Sequence, residues 1–354
     1  MNYTVPYVVI DHSTSESDFE TLAKHPHEYV RYRVAANPLT PVKLLTILAS
    51  DEDEHVRIGV ASNEATPRKL LITLSKDSSQ LVRQNLVENP STPIKTKEYL
   101  AQDVDADVRE RVASDAFISV DILKELSKDS DYYVLASVAG NSNTPKEIIE
   151  LLAEENDDQI NSAIASNPAS SKTLLEKLSF SSDDLIRRNV AENLNTPLDI
   201  LISLAKDKSL LVKCGVGSNP STPKEAFDIL KRERLTDIKV SLAKNAFTPI
   251  EILGDLAIHK SINVRLEVAS NRSTPIEVLA ILAKDKSEDV RQGVAYNPAT
   301  SLETLKILSK DAQPFVREGV AYNPSTTLDV LKLLARDKDA SIREQLRVRG
   351  LNLE

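Results

Sequence analysis

The chain is poor in the residues on which many active sites and disulfide frameworks depend. It has no tryptophan, one cysteine, one methionine and eight glycines among 354 residues. A single cysteine, Cys214, excludes a disulfide within the chain and a cysteine cage for zinc, and it is typical of a reducing compartment. No glycine-rich phosphate loop, zinc motif or Ser/His/Asp set is present. The sequence therefore offers no catalytic signature.

Long apolar runs and a surplus of basic residues are also missing. No apolar run approaches the roughly 18 residues that span a membrane. The N-terminal stretch lacks the basic start and small-residue cleavage site of a secretory signal. The net charge of −9 at pH 7 argues against a chain-wide nucleic-acid surface, although it leaves room for a local basic patch. We expect a cytoplasmic protein with no membrane contact.

What the sequence has in abundance is repetition, with a period of 26 residues that recurs twelve times without insertion or deletion. A Val/Ile-Arg step marks the period from Val30-Arg31 to Ile342-Arg343. Units that keep such strict spacing are typical of stacked repeats. We predict an all-α fold: an α-solenoid of twelve two-helix repeats over residues 30–341, with an N-terminal cap at 1–29 and a C-terminal cap at 342–354. In the C-terminal cap, Arg347 and Arg349 replace Ala and Asn, which opposes end-to-end stacking and favours a monomer.

Each repeat contains two apolar patterns of helical spacing. In residues 30–55, Val30 and Val34 are four apart and indicate a first helix, while Leu45 and Leu48 form the stripe of a second helix. An ordinary leucine-rich β-solenoid is the alternative at this repeat length, but its strands would need alternating apolar residues. Helices this short are not stable alone, so stability must come from stacking.

Polar residues at fixed positions predict the helix ends. Asn37 is placed to end the first helix, because asparagine tolerates the left-handed conformation. Thr40 and Pro41 suit the start of the second helix, and Asp53 suits the cap of the next one. An acid three residues after the Thr position predicts a capping box in eight repeats. These acids are Asp121, Glu147, Asp199, Glu225, Glu251, Glu277, Glu303 and Asp329.

An acid also precedes the repeated arginine by six residues. The spacing predicts an acid–base pair at each turn, and hence a ladder along the array. Because each arginine then has an acid to occupy it, we interpret these positions as scaffold and not as a binding face. The pairs are Asp51/Arg57, Asp77/Arg83, Asp103/Arg109, Asp207/Lys213, Asp285/Arg291, Asp311/Arg317 and Asp337/Arg343.

The unit V-R-x-x-V-A-x-N-P-x-T-P-x-x-L-L-x-x-L-A-x-D closely resembles the leucine-rich repeat variant family over residues 30–343. The resemblance implies a right-handed superhelix of alternating α and 3₁₀ helices, akin to HEAT and armadillo arrays. It leaves open whether the second helix is α or 3₁₀, and it implies a binding scaffold without a particular reaction. Some relatives carry a cysteine-rich iron–sulfur segment. This chain has none, so no cofactor is expected.

One departure from the repeat is a run of basic residues where later repeats carry acids. Lys43, Lys69 and Lys95 occupy the capping-box position, and Arg68 and Lys97 lie beside them. We call these five residues the basic strip. Lysine at the positive end of a helix is mildly unfavourable, so the strip suggests an anion-binding role. The alternative is a solvated face whose charge has drifted.

A second departure is a pair of tyrosines at one position in adjacent repeats. Tyr296 and Tyr322 precede the Asn of their repeats, on a helix face that points away from the valine stripe. The same position elsewhere holds small or charged residues. Two exposed aromatics suit a protein contact or a base-stacking platform. Local packing between repeats is the alternative.

Histidines offer little support for chemistry. His25 and His27 lie one period before Asp51 and Asp53, a set that could ligate a metal, but polar side chains are expected in a terminal cap. We therefore predict no metal, no cofactor and no catalysis. The expected function is a non-enzymatic scaffold that binds a protein or peptide, with Tyr296 and Tyr322 as anchors and the basic strip as a second contact. The alternative is DNA binding through the basic strip, as in HEAT-like DNA-binding proteins.

Overall fold

The computed structural model describes Asp11 and residues 13–348, and this part of the chain contains helices but no strand. Two compact units divide the chain, Met1–Ser171 and Lys172–Glu354. Every repeat contributes a nine-residue first helix around its repeated Val or Ile, eight residues long in the first repeat, and a seven-residue second helix. The predicted all-α fold of two-helix repeats is confirmed. Part of each predicted cap, including Arg349, lies outside the described residues.

In the first unit, even-numbered helices are the first helices of the repeats and odd-numbered helices are the second helices. They are α1 (Glu16–Leu22), α2 (Glu28–Ala35), α3 (Val42–Leu48), α4 (Glu54–Ser62), α5 (Arg68–Leu74), α6 (Gln80–Glu88), α7 (Ile94–Leu100), α8 (Ala106–Ser114), α9 (Val120–Leu126), α10 (Tyr132–Gly140), α11 (Lys146–Leu152) and α12 (Asp158–Ser166).

The second unit continues the same alternation. Its helices are α13 (Lys172–Leu178), α14 (Asp184–Glu192), α15 (Leu198–Leu204), α16 (Leu210–Ser218), α17 (Lys224–Leu230), α18 (Thr236–Lys244), α19 (Ile250–Leu256), α20 (Ile262–Ser270), α21 (Ile276–Leu282), α22 (Glu288–Tyr296), α23 (Leu302–Leu308), α24 (Pro314–Tyr322), α25 (Leu328–Leu334) and α26 (Ala340–Val348). Across the described residues, no helix has the length and apolar character needed to cross a bilayer.

The core of each unit comes from the predicted apolar stripes. Val56 and Val60 of α4 are fully buried, as are their equivalents along the first helices, and Leu71 and Leu74 of α5 are buried beneath them. Within a unit, successive first helices pack on one another, as α2 on α4 and α4 on α6, and Ala61 keeps the helices close. Burying one Val or Leu side chain contributes about 1.5–3 kcal/mol. Stacking therefore supplies the stability that short isolated helices lack.

The second helix of each repeat is an α-helix. In α3 the amide of Leu45 donates to Pro41 O and the amide of Ala49 donates to Leu45 O, at 3.2 and 2.9 Å, which are four-residue α-helical bonds. Three-residue bonds occur only where the helix begins and ends, as from Asp51 N to Leu48 O at 3.1 Å. The sequence left open whether the second helix is α or 3₁₀, and the structure shows that it is α.

The repeated asparagine stands at the end of the first helix as predicted, but the left-handed conformation predicted for it is wrong. Asn63 has φ −75° and ψ 117°, which is extended and not left-handed. Its amide Nδ2 donates to Ala35 O and Asn37 O of the preceding repeat, at 2.7 and 2.8 Å, and its Oδ1 accepts the Ala65 N–H at 2.9 Å. The asparagine therefore joins two repeats, because one amide offers both the donors and the acceptor that the site requires. The same two donations are made by Asn89, Asn141, Asn167, Asn219, Asn245, Asn271, Asn297 and Asn323.

The predicted Thr-Pro-x-Glu capping box does not form in the described repeats either. The N-cap of α3 is Pro41, which has no N–H to donate to an acid three residues on. The hydroxyl of Thr40 instead donates to Val34 O at 2.5 Å, at the end of the preceding helix. Consequently the acids of later repeats stand at the second helical position and take no part in a box. Asp53 does cap α4 as predicted, since its Oδ1 accepts the His55 N–H at 2.9 Å.

The acid–base ladder exists, but its partners differ from the predicted ones. Nε and Nη2 of Arg57 donate to the two carboxylate oxygens of Asp77, 20 residues later, at 2.8 and 3.0 Å. Arg57 reaches Asp51 only through the backbone carbonyl, with Nη1 to Asp51 O at 2.9 Å. The predicted Asp51/Arg57 carboxylate pair is therefore wrong, because the guanidinium reaches forward into the next repeat. We call each such pair a rung.

Rungs occur in both units, and those made by arginine share one geometry of two parallel bonds, whereas Lys213 makes a single bond to Glu233. Burial alone would raise the pKa of Asp77, but the hydrogen bonds from Arg57 and from the Ser79 amide outweigh burial and hold that pKa below its usual value. The rungs are Arg31–Asp51, Arg57–Asp77, Arg83–Asp103, Arg109–Asp129, Arg187–Asp207, Lys213–Glu233, Arg265–Asp285, Arg291–Asp311 and Arg317–Asp337.

Candidate functional site

Tyr296 and Tyr322 are the last residues of α22 and α24, and their rings stack on each other. The ring centroids are 6.0 Å apart and the planes are inclined by 22°, an offset-stacked arrangement. About 41% of Tyr296 and 39% of Tyr322 remain exposed. The pair thus forms one aromatic surface that is anchored on one side and open on the other.

The backbone of the neighbouring repeat makes room for the ring of Tyr296. A Cβ at Gly319 would lie 2.8 Å from the Ala295 Cβ and 3.0 Å from the Tyr296 Cδ2, closer than real contacts allow. Burial, together with Glu318 and Tyr322, raises the pKa of Tyr296, so its hydroxyl stays protonated and able to donate near neutral pH. The side chain of Tyr296 therefore packs against the neighbouring repeat and is also partly exposed to solvent.

Four residues of the basic strip lie on exposed positions of successive second helices. Lys43 is the second residue of α3, Arg68 and Lys69 begin α5, and Lys95 is the second residue of α7. Lys43 Nζ lies 2.9 Å from Glu20 Oε1, a surface ion pair that raises the pKa of Lys43. Such an exposed pair is weak and can be displaced by a ligand.

Lys97 does not belong to this exposed surface. Two helical residues after Lys95, it points to the opposite side of α7, about 200° around the axis. It is 9% exposed, at a position that is apolar in the other repeats, and its Nζ donates to Asp115 Oδ2 at 2.6 Å. The prediction that placed Lys97 with the exposed lysines followed proximity in sequence and ignored the helical angle.

The histidines and the cysteine are engaged in local structure. His25 Nδ1 accepts the His27 N–H at 3.0 Å, and Asp51 is occupied by Arg31. Within the described residues, no three His, Cys, Asp or Glu side chains converge on a point where a metal ion would sit. Cys214 is half-buried, and burial, with Asp237 nearby, raises the pKa of its thiol. A protonated thiol is a poor nucleophile.

One surface was missed at the sequence level, on the outer side of the second helices near the end of the second unit. The first and sixth residues of α21, α23 and α25 are aliphatic and between 36% and 60% exposed. The signal was present in the repeat alignment, because the residue after Thr-Pro is aliphatic in most repeats although it lies beside the exposed acid. We call these residues the C-terminal apolar face: Ile276, Ile281, Leu302, Ile307, Leu328 and Leu333.

Comparison with protein-family models gives no match, and comparison with curated proteins gives none. Among solved structures, the chain is similar to a leucine-rich repeat variant with a novel repetitive structural motif. The two share 23% identity over 70% of this chain and 87% of the other, with a TM-score of 0.37.

Two further similarities to solved structures are found. An engineered protein shares 14% identity over 96% of this chain and 98% of its own, with a TM-score of 0.28. The Escherichia coli protein YibA shares 17% identity over 84% of this chain and 97% of its own, with a TM-score of 0.25. The repeat fold of the present chain is established by its own helices and does not depend on these similarities.

Proposed function

We propose that the chain is a non-catalytic scaffold that binds a partner protein or peptide, with Tyr296 and Tyr322 as contact residues. The stacked tyrosine pair carries this proposal. Tyrosine combines a large apolar ring with a hydroxyl, and it is enriched among the residues that dominate the energy of protein interfaces. At the same position, the other repeats carry Ala36, Ser62, Glu88, Ser114, Gly140, Ser166, Glu192, Ser218, Lys244 and Ser270.

The scaffold requires neither tyrosine for its rungs or its asparagine bonds. The rung cation of the repeat is Arg291 for Tyr296 and Arg317 for Tyr322, and both are paired with aspartates. The asparagine that follows each tyrosine makes its own bonds to the preceding repeat. Two half-exposed rings, in place of the small or charged residues of the other repeats, therefore add a surface feature to repeats whose rungs and asparagine bonds are already formed.

Nucleic acid is the less favoured partner. The basic strip loses Lys97 to an interior ion pair, and Lys43 is paired with Glu20. Binding to nucleic acid through the remaining Arg68, Lys69 and Lys95 would weaken steeply with salt, because each neutralised phosphate releases counterions. Absence of DNA binding at about 50 mM salt is the result that agrees with a protein partner.

A capture experiment with a matched control tests the proposal. The full chain, a Tyr296→Ala/Tyr322→Ala variant and a Tyr132→Ala/Tyr133→Ala variant are immobilised and exposed to lysate of the source cells. The control pair suits the purpose, because Tyr132 and Tyr133 are 45% and 47% exposed and their ring centroids are 4.2 Å apart. We expect quantitative mass spectrometry to show a protein lost from the first variant and kept by the second. An unchanged set of bound proteins would refute the proposed site.

A further inference from the structure

The C-terminal apolar face borders a groove in the second unit. A cavity of about 300 Å³ opens between α21 and α23, and Ile276, Ala280 and Ile307 supply its apolar wall. Glu277 and Glu303 stand at its rim. A volume of about 300 Å³ is at the lower end of the range of pockets that accept ligand groups. Aligned aliphatic side chains around such a groove mark an interaction site, unlike single exposed ones.

A small residue lines the groove, and another small residue stands at the equivalent position one repeat earlier. Ala280 of α21 lies beside the cavity, and the equivalent residue of the preceding second helix is Gly254, in the middle of α19. A Cβ at Gly254 would meet nothing within 4 Å. Glycine weakens a helix interior relative to alanine, and no neighbour in the fold requires it here. What glycine permits at this half-exposed position is the close approach of another chain.

Five successive second helices, α17 to α25, each carry one exposed acid at the same position, and two of these acids, Glu277 and Glu303, line the groove. No ion pair to these carboxylates is found in the described part of the chain. Since α3, α5 and α7 form the same seven-residue helices with Lys43, Lys69 and Lys95 at this position, the fold tolerates either sign. We call these acids the acidic row: Glu225, Glu251, Glu277, Glu303 and Asp329.

The spacing of the repeats selects the shape of the partner. Packed helices lie roughly 8–10 Å apart. An α-helix advances about 10 Å in two turns, which are one heptad of sequence. A partner helix lying along the row would thus present the same face to each successive repeat, with a basic residue opposite each acid and aliphatic residues over Gly254 and Ala280.

We propose that the C-terminal apolar face and the acidic row bind a basic amphipathic helix of a partner protein. The proposal rests on the proposed protein-binding function but uses second helices, whereas Tyr296 and Tyr322 end first helices. Charge complementarity fixes the partner as cationic, and the groove fixes its second face as aliphatic.

The probe is a synthetic helical peptide three heptads long, with lysine at every seventh position and leucine on the adjacent face. Its binding to the full chain is measured by fluorescence anisotropy at low and at physiological salt. We expect binding that weakens with salt, and at least tenfold weaker binding to a Glu277→Lys/Glu303→Lys variant. A peptide with glutamate in place of lysine should not bind.

The chain offers a control of equal charge change. Asp121 and Glu147 occupy the same position in α9 and α11, where they are exposed, so Asp121→Lys/Glu147→Lys should leave peptide affinity unchanged. A second variant, Gly254→Leu, places a large side chain on the acidic row one helix before the groove. It should weaken binding without lowering the unfolding temperature, because a Cβ at this position meets nothing within 4 Å.

The inference is overturned if the Asp121/Glu147 and Glu277/Glu303 variants lose peptide affinity equally, if neither loses affinity, or if the peptide does not bind at low salt. It is also overturned by a concentration-dependent dimer in sedimentation experiments without peptide that Glu277→Lys/Glu303→Lys abolishes, since the face would then be covered by a second copy of the chain. The Tyr296→Ala/Tyr322→Ala variant should bind the peptide with unchanged affinity. A failure of this inference is therefore distinguishable from a failure of the proposed function, which the capture experiment tests.

Discussion

Lys97 donates a hydrogen bond of 2.6 Å to Asp115, and each residue stands where the other repeats carry an uncharged one. The position of Lys97 holds apolar residues such as Leu71 and Leu123, and the position of Asp115 holds asparagine. A carboxylate cannot donate to the backbone carbonyls of the preceding repeat, and an ammonium group in the core needs a counter-charge. The two departures therefore compensate each other inside the first unit.

The Lys97–Asp115 pair predicts that a single variant lowers the free energy of unfolding, whereas the double variant does not. Lys97→Leu leaves a buried carboxylate without its cation and should cost about 3–5 kcal/mol of unfolding free energy. Lys97→Leu/Asp115→Asn restores the residues of the other repeats and should be neutral or stabilising by about 1–4 kcal/mol. Thermal and urea unfolding of both variants measure the difference. A double variant that is no more stable than the single one would contradict the account.

The rungs predict a specific rescue. Arg57→Lys loses the two-bond contact with Asp77 and should lower the unfolding temperature, because an ammonium group cannot reproduce the guanidinium fork. Arg57→Lys/Asp77→Glu should recover part of the loss, since the chain already contains a rung of this kind, Lys213–Glu233 at 2.6 Å.

Arg343 provides the control for that rescue. In the described residues it makes no ion pair, although it occupies the same position of the period at the start of the C-terminal cap. Arg343→Lys should therefore leave the unfolding temperature nearly unchanged. If Arg57→Lys also leaves the unfolding temperature nearly unchanged, the rungs contribute little to stability.

The rung aspartates predict weaker folding in acid. In the folded chain the pKa lies below the ordinary value for Asp51, Asp77, Asp129, Asp207, Asp285, Asp311 and Asp337. For Asp129 the Arg109 hydrogen bond is the largest cause of the lowered pKa, and burial opposes it. A lowered folded pKa adds stability that is complete above the unfolded value of about 3.9 and is lost as the pH falls through the folded value. Calorimetry from pH 5 to pH 2 should show a falling unfolding temperature. An Arg109→Leu/Asp129→Leu variant should show a shallower fall.

The asparagine bonds predict a larger cost than ordinary surface amides. Asn63→Ala leaves the buried carbonyl of Ala35 without its donor, at about 1–3 kcal/mol. The Asn37 carbonyl also loses this donor but keeps the Thr40 N–H. Asn143→Ala removes an exposed bond of similar length, 2.7 Å to Ala116 O, and should cost much less. Urea unfolding of the two variants compares them directly, and equal effects would count against the bridging role.

The sequence was sufficient for the repeat and its two helices, because apolar spacing within one unit reports helical packing. It was insufficient for the polar residues, whose partners lie 20, 26 and 28 residues away. An acid six residues before an arginine and an acid 20 residues after it occupy equivalent positions in successive units, because the two spacings together make one period.

Repeats that depart from the pattern nevertheless indicate which of the two acid spacings pairs with the arginine. Three arginines have no acid six residues before them, where His25, Ser181 and His259 stand instead. Each of these arginines has an aspartate 20 residues later, and the structure pairs them as Arg31–Asp51, Arg187–Asp207 and Arg265–Asp285. The forward spacing is therefore the one that every arginine rung satisfies.

The candidate site shows the same limit of prediction from sequence spacing. Counting departures from the repeat identified Tyr296 and Tyr322, whose stacking follows from their equivalent positions in neighbouring repeats. Counting could not separate Lys97 from Lys95, because only the helical angle sends one inward and the other outward. Regular positions were set aside as scaffold, and so the exposed aliphatic residues of the second helices escaped notice.

The most direct test of the central claim is covalent capture at the tyrosine pair in living cells. p-Benzoylphenylalanine is introduced in place of Tyr296, Tyr322 or, as a control, Tyr133, and the cells are irradiated. The account predicts one crosslinked protein shared by positions 296 and 322 and absent at position 133. Irradiated chains that crosslink nothing at 296 and 322, or that yield the same products at all three positions, would contradict it.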